Sequence, residues 1–145
     1  MEKILNEKVK YFNGWKSNIV YFYNDLYKQR IIFIFPKKGI YLCPKIINKF
    51  FLDYFKIKNC ISENSVAARM TLIEHKNENI IIIILHQRDV EEYKQIAALS
   101  HEALHATAEI LISRGMKLDN NLTQVEEPFC YMIEWIMSKL LFFLR

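Results

Sequence analysis

Ala97-Ala98-Leu99-Ser100-His101-Glu102-Ala103-Leu104-His105-Ala106-Thr107-Ala108 carries the pattern His-Glu-x-x-His inside a run rich in helix-forming residues. On a helix, residues four apart lie one above the other, so both imidazoles can reach a single metal ion. Neutral imidazole is a good zinc ligand. A catalytic zinc takes three protein ligands and keeps a fourth position for a water whose pKa falls to about 7, and a neighbouring carboxylate then acts as general base. The spacing assigns ligation to His101 and His105 and the base to Glu102. Glu102 is the one charged residue between Ile96 and Ala108, and alanines at 97, 98, 103, 106 and 108 let neighbouring backbones approach, so the helix reads as buried around a site. Chance is a poor explanation: with four His in 145 residues, composition alone yields the pattern about 0.01 times per chain. An unliganded pair of buried histidines would leave ring nitrogens without obvious partners.

Outward from this stretch, Asp89 is a suitable N-cap, Glu91 and Glu92 suit the positive first turn, and Gly115 follows Arg114 as a stop, which predicts a helix over Val90 to Ser113. Upstream, Ala67 to Glu74 alternates as a strand, and Ile80 to Leu85 is a continuous aliphatic run expected of a strand buried on both faces. Lys76-Asn77-Glu78-Asn79 is the turn expected between them. Pro44 to Phe55 has helical period, with Ile46, Ile47, Phe50, Phe51 and Tyr54 on one side, and should dock on the sheet. Asn18 to Tyr23 and Ile31 to Phe35 read as two more strands, and Ile40-Tyr41-Leu42 as a short one. Before the turn signal Asn13-Gly14, residues Ile4, Val9, Tyr11 and Phe12 suggest a short amphipathic turn of helix. Downstream, a loop over Met116 to Asn121 leads to a last helix with the apolar stripe Phe129, Met132, Ile133, Ile136 and Leu140. The expected fold is α+β: one domain over 1–145, with an antiparallel or mixed sheet from the first 85 residues packed on the long motif helix and the C-terminal helix.

Half of the residues are apolar, which argues against disorder. The charged start Met1-Glu2-Lys3-Ile4-Leu5-Asn6-Glu7-Lys8 lacks the apolar centre of a signal peptide. Pro128 to Leu144 is interrupted by Glu134 and Lys139 and is short for a membrane span, so no membrane partner is expected. Cys43, Cys60 and Cys130 have no paired spacing and read as free packing thiols of a reducing, cytoplasmic compartment. Residues 1–70 hold 13 Lys/Arg and 5 Asp/Glu, a balance of +8, whereas residues 71–145 hold 7 and 11, a balance of −4. The lysines of the basic half are dispersed among aromatic and isoleucine residues without an arginine cluster. They read as a solvated surface, and nucleic acid is not the expected partner.

Two histidines need a third ligand. A histidine six residues past His105 is absent, position 111 being leucine, which excludes the metzincin pattern. Glu126 and Glu127 open the next helix and supply the alternative. Thr123-Gln124-Val125-Glu126 has the form of a capping box, which would occupy Glu126 and leave Glu127 for the metal. Pro128 argues that the helix instead begins near Glu126, so the choice between the two stays open. Tyr131 and Glu134 share the face of Glu127, where Tyr131 could donate a hydrogen bond to a substrate oxyanion.

The series Leu99 to Ala106, Ile110 to Leu118 and Glu126 to Tyr131 resembles small zinc metallopeptidases encoded by tailed phages and prophages, over roughly residues 67 to 137. In that group the motif helix ends at a glycine and a Glu followed four residues later by Tyr opens the next helix. This chain departs from it at Pro128, where a small helix former is usual. The resemblance implies a zincin-like fold and a zinc cofactor held by His101, His105 and Glu127, with Glu102 as base. It also implies a peptide or protein substrate, and host cytoplasm if the chain is phage-encoded. Two other functions compete with hydrolysis: a zinc-binding structural or interaction protein that keeps the zincin core without turnover, and a DNA-associated Spartan-like protease using the basic half.

Overall fold

The structure, a computed structural model, describes residues 11–12, 15–88, 91–116 and 126–144, with side chains described from 18 onward. Asp89, Val90 and Thr123, on which two expected helix starts depended, lie outside the described residues, as do residues 1–10 and the segment 117–125. The elements in chain order are β1 (Tyr11–Phe12), β2 (Trp15–Asn24), β3 (Gln29–Pro36), α1 (Pro44–Phe55), β4 (Ala68–His75), β5 (Glu78–Leu85), α2 (Glu92–Ser113) and α3 (Glu126–Phe143). Among the described residues the strands form one mixed sheet in the order β1-β2-β3-β5-β4 and the helices are three, an α+β architecture.

Parallel pairing at the centre dictates the layers. β3 and β5 run parallel, with Arg30 beside Ile80 and Ile34 beside Ile84, so the chain must cross over between them. The crossover passes through α1, which covers one face, and returns as β4 antiparallel to β5. α2 and α3 cover the other face. Alternation along β5 then splits one aliphatic run between two cores. Ile80, Ile82 and Ile84 meet Ile47, Phe50 and Phe51 of α1. Ile81, Ile83 and Leu85 meet Ala103 and Ile110 of α2 and Ile136 of α3.

Several local expectations change. Tyr11 and Phe12 are extended and pair with Lys16 and Trp15, which removes them from a helical turn. The β4–β5 turn is two residues rather than four. Lys76 and Asn77 both take positive φ, 53° and 63°, as a type I′ turn demands, and this releases Glu78 and Asn79 to the strand. Glu78 there meets Arg30 at 3.0 Å. Tyr41 makes a lone bridge to Gln87 instead of a strand. Cys43 and Cys60 are half-buried as packing residues, whereas Cys130 is exposed.

α2 stops where the glycine signal placed its end. Gly115 has φ +82°, its N–H reaches the Ile112 carbonyl at 2.9 Å, and the Met116 N–H reaches that of Leu111 at 3.0 Å. Arg114 then ties this end of α2 to the β2–β3 turn, its Nε donating to the Tyr27 carbonyl at 2.6 Å and its Nη2 to that of Lys28 at 3.0 Å. Tyr131, near the start of α3, lies at the same turn. Arg88, whose carbonyl accepts from Gln95 near the start of α2, donates Nη2 to the Leu144 carbonyl just past the end of α3. α3 therefore returns antiparallel to α2. Among the described residues, no helix is long and apolar enough to cross a membrane.

Candidate metal centre

α2 buries Leu99, Ala103, Ala106, Thr107, Ile110 and Leu111 on one stripe. At 3.6 residues per turn, His101 and His105 fall on the opposite side, and both are exposed. This corrects the expectation of a helix buried all round its motif. Of the alanines, 103 and 106 serve the close approach to the core, 98 and 108 are half-buried, and 97 faces solvent. The ring nitrogens are thus open to water, and the argument from buried unpartnered imidazoles does not apply.

The imidazole geometry is nevertheless that of a chelating pair. The two Nε2 atoms are 3.1 Å apart, with ring centroids at 4.7 Å and planes at 72°. Two nitrogens bound at 2.0–2.1 Å to a tetrahedral zinc stand about 3.3 Å apart, so a rearrangement of a few tenths of an ångström suffices. The donor chemistry and spacing of His101 and His105 fit the metal.

Glu102 occupies the flank of α2 that faces β4 and is half-buried. Burial pushes its carboxyl above the ordinary range. The His101 and His105 rings, the Met70 backbone N–H and the Arg69 charge pull it back down. The register explains why Met70 presents an N–H. The His86 N–H bonds the Ala67 carbonyl, so the odd residues of β4 spend their backbone groups on β5 and the even ones point outward. Among the described residues β4 is the last strand of the sheet, so Glu102 stands at a sheet edge.

The proposed third ligands are not gathered here. Glu126 and Glu127 are exposed in the first turn of α3. Among the described residues, no three His, Cys, Asp or Glu side chains converge as a metal cluster, so the structure pairs His101 with His105 and does not gather Glu126 or Glu127 with them. Tyr131 stands against the β2–β3 turn, its hydroxyl accepting from Asn24 Nδ2 at 3.5 Å and its ring 6.2 Å from that of Tyr27. Sequence reasoning overlooked Arg69 and Met70 beside Glu102. Alternation could have put Met70 on the helix-covered face, but nothing local reveals which helix residue it meets. Comparison with protein-family models, curated proteins and solved structures finds no match to this chain.

Proposed function

We propose that the chain is a zinc-dependent metallopeptidase of zincin-like build, with His101 and His105 holding the metal and Glu102 as general base. The third donor is assigned to Glu127, with Glu126 as the alternative. The observation that carries the reading is the 3.1 Å separation of the two Nε2 atoms, on a helix whose flank sets a half-buried carboxylate at a strand edge. Held by His101 and His105, zinc would supply Lewis acidity and a more acidic water. Glu102 takes a proton at its carboxylate and delivers it to the leaving amine, a role helped by burial that raises its basicity. The outward backbone groups of Ala68, Leu72 and Glu74 on β4 can accept an extended peptide as an added strand, which would hold a scissile bond near Glu102.

The test is Glu102→Gln, which preserves size but cannot take the proton. Zinc content should be unchanged, while cleavage of a proteome-derived peptide library should fall 10²–10⁴-fold, the usual range for loss of a general base. If zinc-loaded wild type gives no product beyond that of Glu102→Gln, the peptidase reading fails. A second reading, zinc binding without turnover, draws support from the want of a third His, Cys, Asp or Glu beside His101 and His105 among the described residues. It predicts that same result with zinc retained.

A further inference from the structure

His86 follows β5 directly and is 0% exposed. Its backbone joins two segments, the N–H donating to the Ala67 carbonyl at 2.9 Å and the carbonyl accepting from the Leu42 N–H at 2.8 Å. Its ring is used at both nitrogens. Nδ1 lies against the Leu42 carbonyl, which can only accept, so Nδ1 carries the hydrogen. Nε2 accepts from Arg69 Nε at 2.8 Å. These two partners fix one neutral tautomer.

Arg69, oriented in this way, spends its remaining donors on the segment that precedes β4. Nη1 reaches the Ser62 carbonyl at 3.1 Å and its hydroxyl at 3.2 Å, and Nη2 reaches the Asn64 carbonyl at 2.7 Å. Ile61 is anchored separately, buried and bonded at both backbone groups by Asn48. Residues 62–67 are all exposed; Ala67 is held by the His86 N–H, and the further tie of residues 62–66 is a hydrogen bond of 3.4 Å between Ser65 Oγ and Tyr41. Residues 62–64 therefore rest on one guanidinium, and that guanidinium is oriented by one unprotonated imidazole nitrogen.

We propose that His86 is a proton-operated pin: protonation at Nε2 removes the acceptor of Arg69, releases the guanidinium and frees residues 62–66 ahead of β4 while the sheet, with the backbone hydrogen bond from His86 to Ala67, stays folded. The protonated ring would set an N–H against an N–H at 2.8 Å and a cation against a cation. The charged and titratable groups around the ring are Arg69 from β4, the Tyr41 phenol ahead of α1 with its ring 6.2 Å away, and Glu102 of α2, which acts on Arg69. Among the described residues, no carboxylate is bonded to the imidazole to favour its charged form. Burial, opposed by the Leu42 carbonyl and reinforced by the Arg69 charge, holds His86 below the usual histidine range. A histidine whose folded pKa is depressed keeps its contact above the unfolded value of about 6.5 and loses it as pH falls below. The pin is thus closed at neutral pH and opens on the acid side. It stands independently of the metal reading.

Glu63 lies within the freed segment and supplies the assay. The full-length chain is digested with a glutamate-specific protease from pH 7.5 to pH 5. Cutting after Glu63 is normalised at each pH to a free peptide of residues 58–69, and cutting after Glu109 and Glu134 in the helices reports global unfolding. Wild type should show cutting at Glu63 rising by up to roughly tenfold per pH unit below 6.5, the limit for one linked proton, with the helix sites unchanged. His86→Gln, which cannot charge, should show no such rise. Arg69→Met, made in parallel should His86→Gln not fold, should be cut rapidly at Glu63 at every pH with no acid dependence. Cutting at Glu63 that rises only together with the helix sites, or an acid rise that survives in either variant, overturns the pin.

Discussion

The two-sided burial of β5 can be tested by removing the same volume from either face of the sheet. Ile82 points toward α1 and Ile83 toward α2 and α3, and both are 0% exposed. Replacing either by alanine deletes three carbons, worth about 2.4 kcal/mol at ~0.8 kcal/mol per buried methylene. The sheet on one side and a helix on the other limit collapse into the gap, so the cavity should bring each loss to roughly 3–4 kcal/mol. That is a large part of the stability of a domain this size, on the order of 10 kcal/mol. Leu72→Ala on β4 removes as many carbons from a residue 44% exposed and should cost about 1 kcal/mol or less. Equilibrium urea unfolding measures all three, the two isoleucine variants shifting the midpoint by well over a molar at unchanged slope. A loss below about 1 kcal/mol for Ile82→Ala would refute the packing of α1 onto the sheet and leave a two-layer protein.

The other expectations concern the end of α2 and its metal. Gly115→Ala meets no atom within 4 Å of its new Cβ, so its cost is the left-handed backbone alone, about 1 kcal/mol by urea unfolding; a change near zero would mean that φ is not positive there. Protein purified without chelator should carry one zinc per chain by elemental analysis, and His101→Ala should abolish retention; zinc unchanged in that variant would sink the metal assignment. Glu127→Ala should weaken zinc and lower the melting temperature, with partial rescue by added zinc through mass action, and an unaltered zinc affinity would remove Glu127 from the ligand set.

What was legible in the sequence follows the range of the interaction that decides it. Pro44 and the period of Ile46, Ile47, Phe50 and Phe51 mark α1 over the residues it occupies, because its start and its buried face are set within a few turns. The five isoleucines from Ile80 state that β5 is covered on both faces, and the two cores divide them by alternation. They do not state that β3 lies beside β5 in parallel, since that pairing depends on a crossover through α1 and on β4 taking the edge. The β4–β5 turn misled for a local reason. Positive φ at Lys76 is uncommon for lysine, so the composition of 76–79 spread the turn over four residues when the strands close it with two.

The candidate site divides along the same line. An i, i+4 relation fixes the approach of His101 and His105 whatever the helix packs against, and the 3.1 Å between their nitrogens follows from one turn of α2. The direction in which that pair points is a property of the whole fold. Ala97 and Leu104 gave the solvent side of α2 an apolar look, yet the sheet takes up Leu99, Ala103, Ala106 and Ile110, and a helix on a flat sheet can bury only one stripe. Once that stripe is chosen, Glu102, one residue from His101, must turn about 100° toward the flank. α2 lies over β4, so this flank meets Arg69 and Met70, and the motif acquires a strand edge beside its carboxylate. The histidines are therefore a local feature, whereas the surroundings of Glu102 are made by the register of β4 against β5, which no motif encodes.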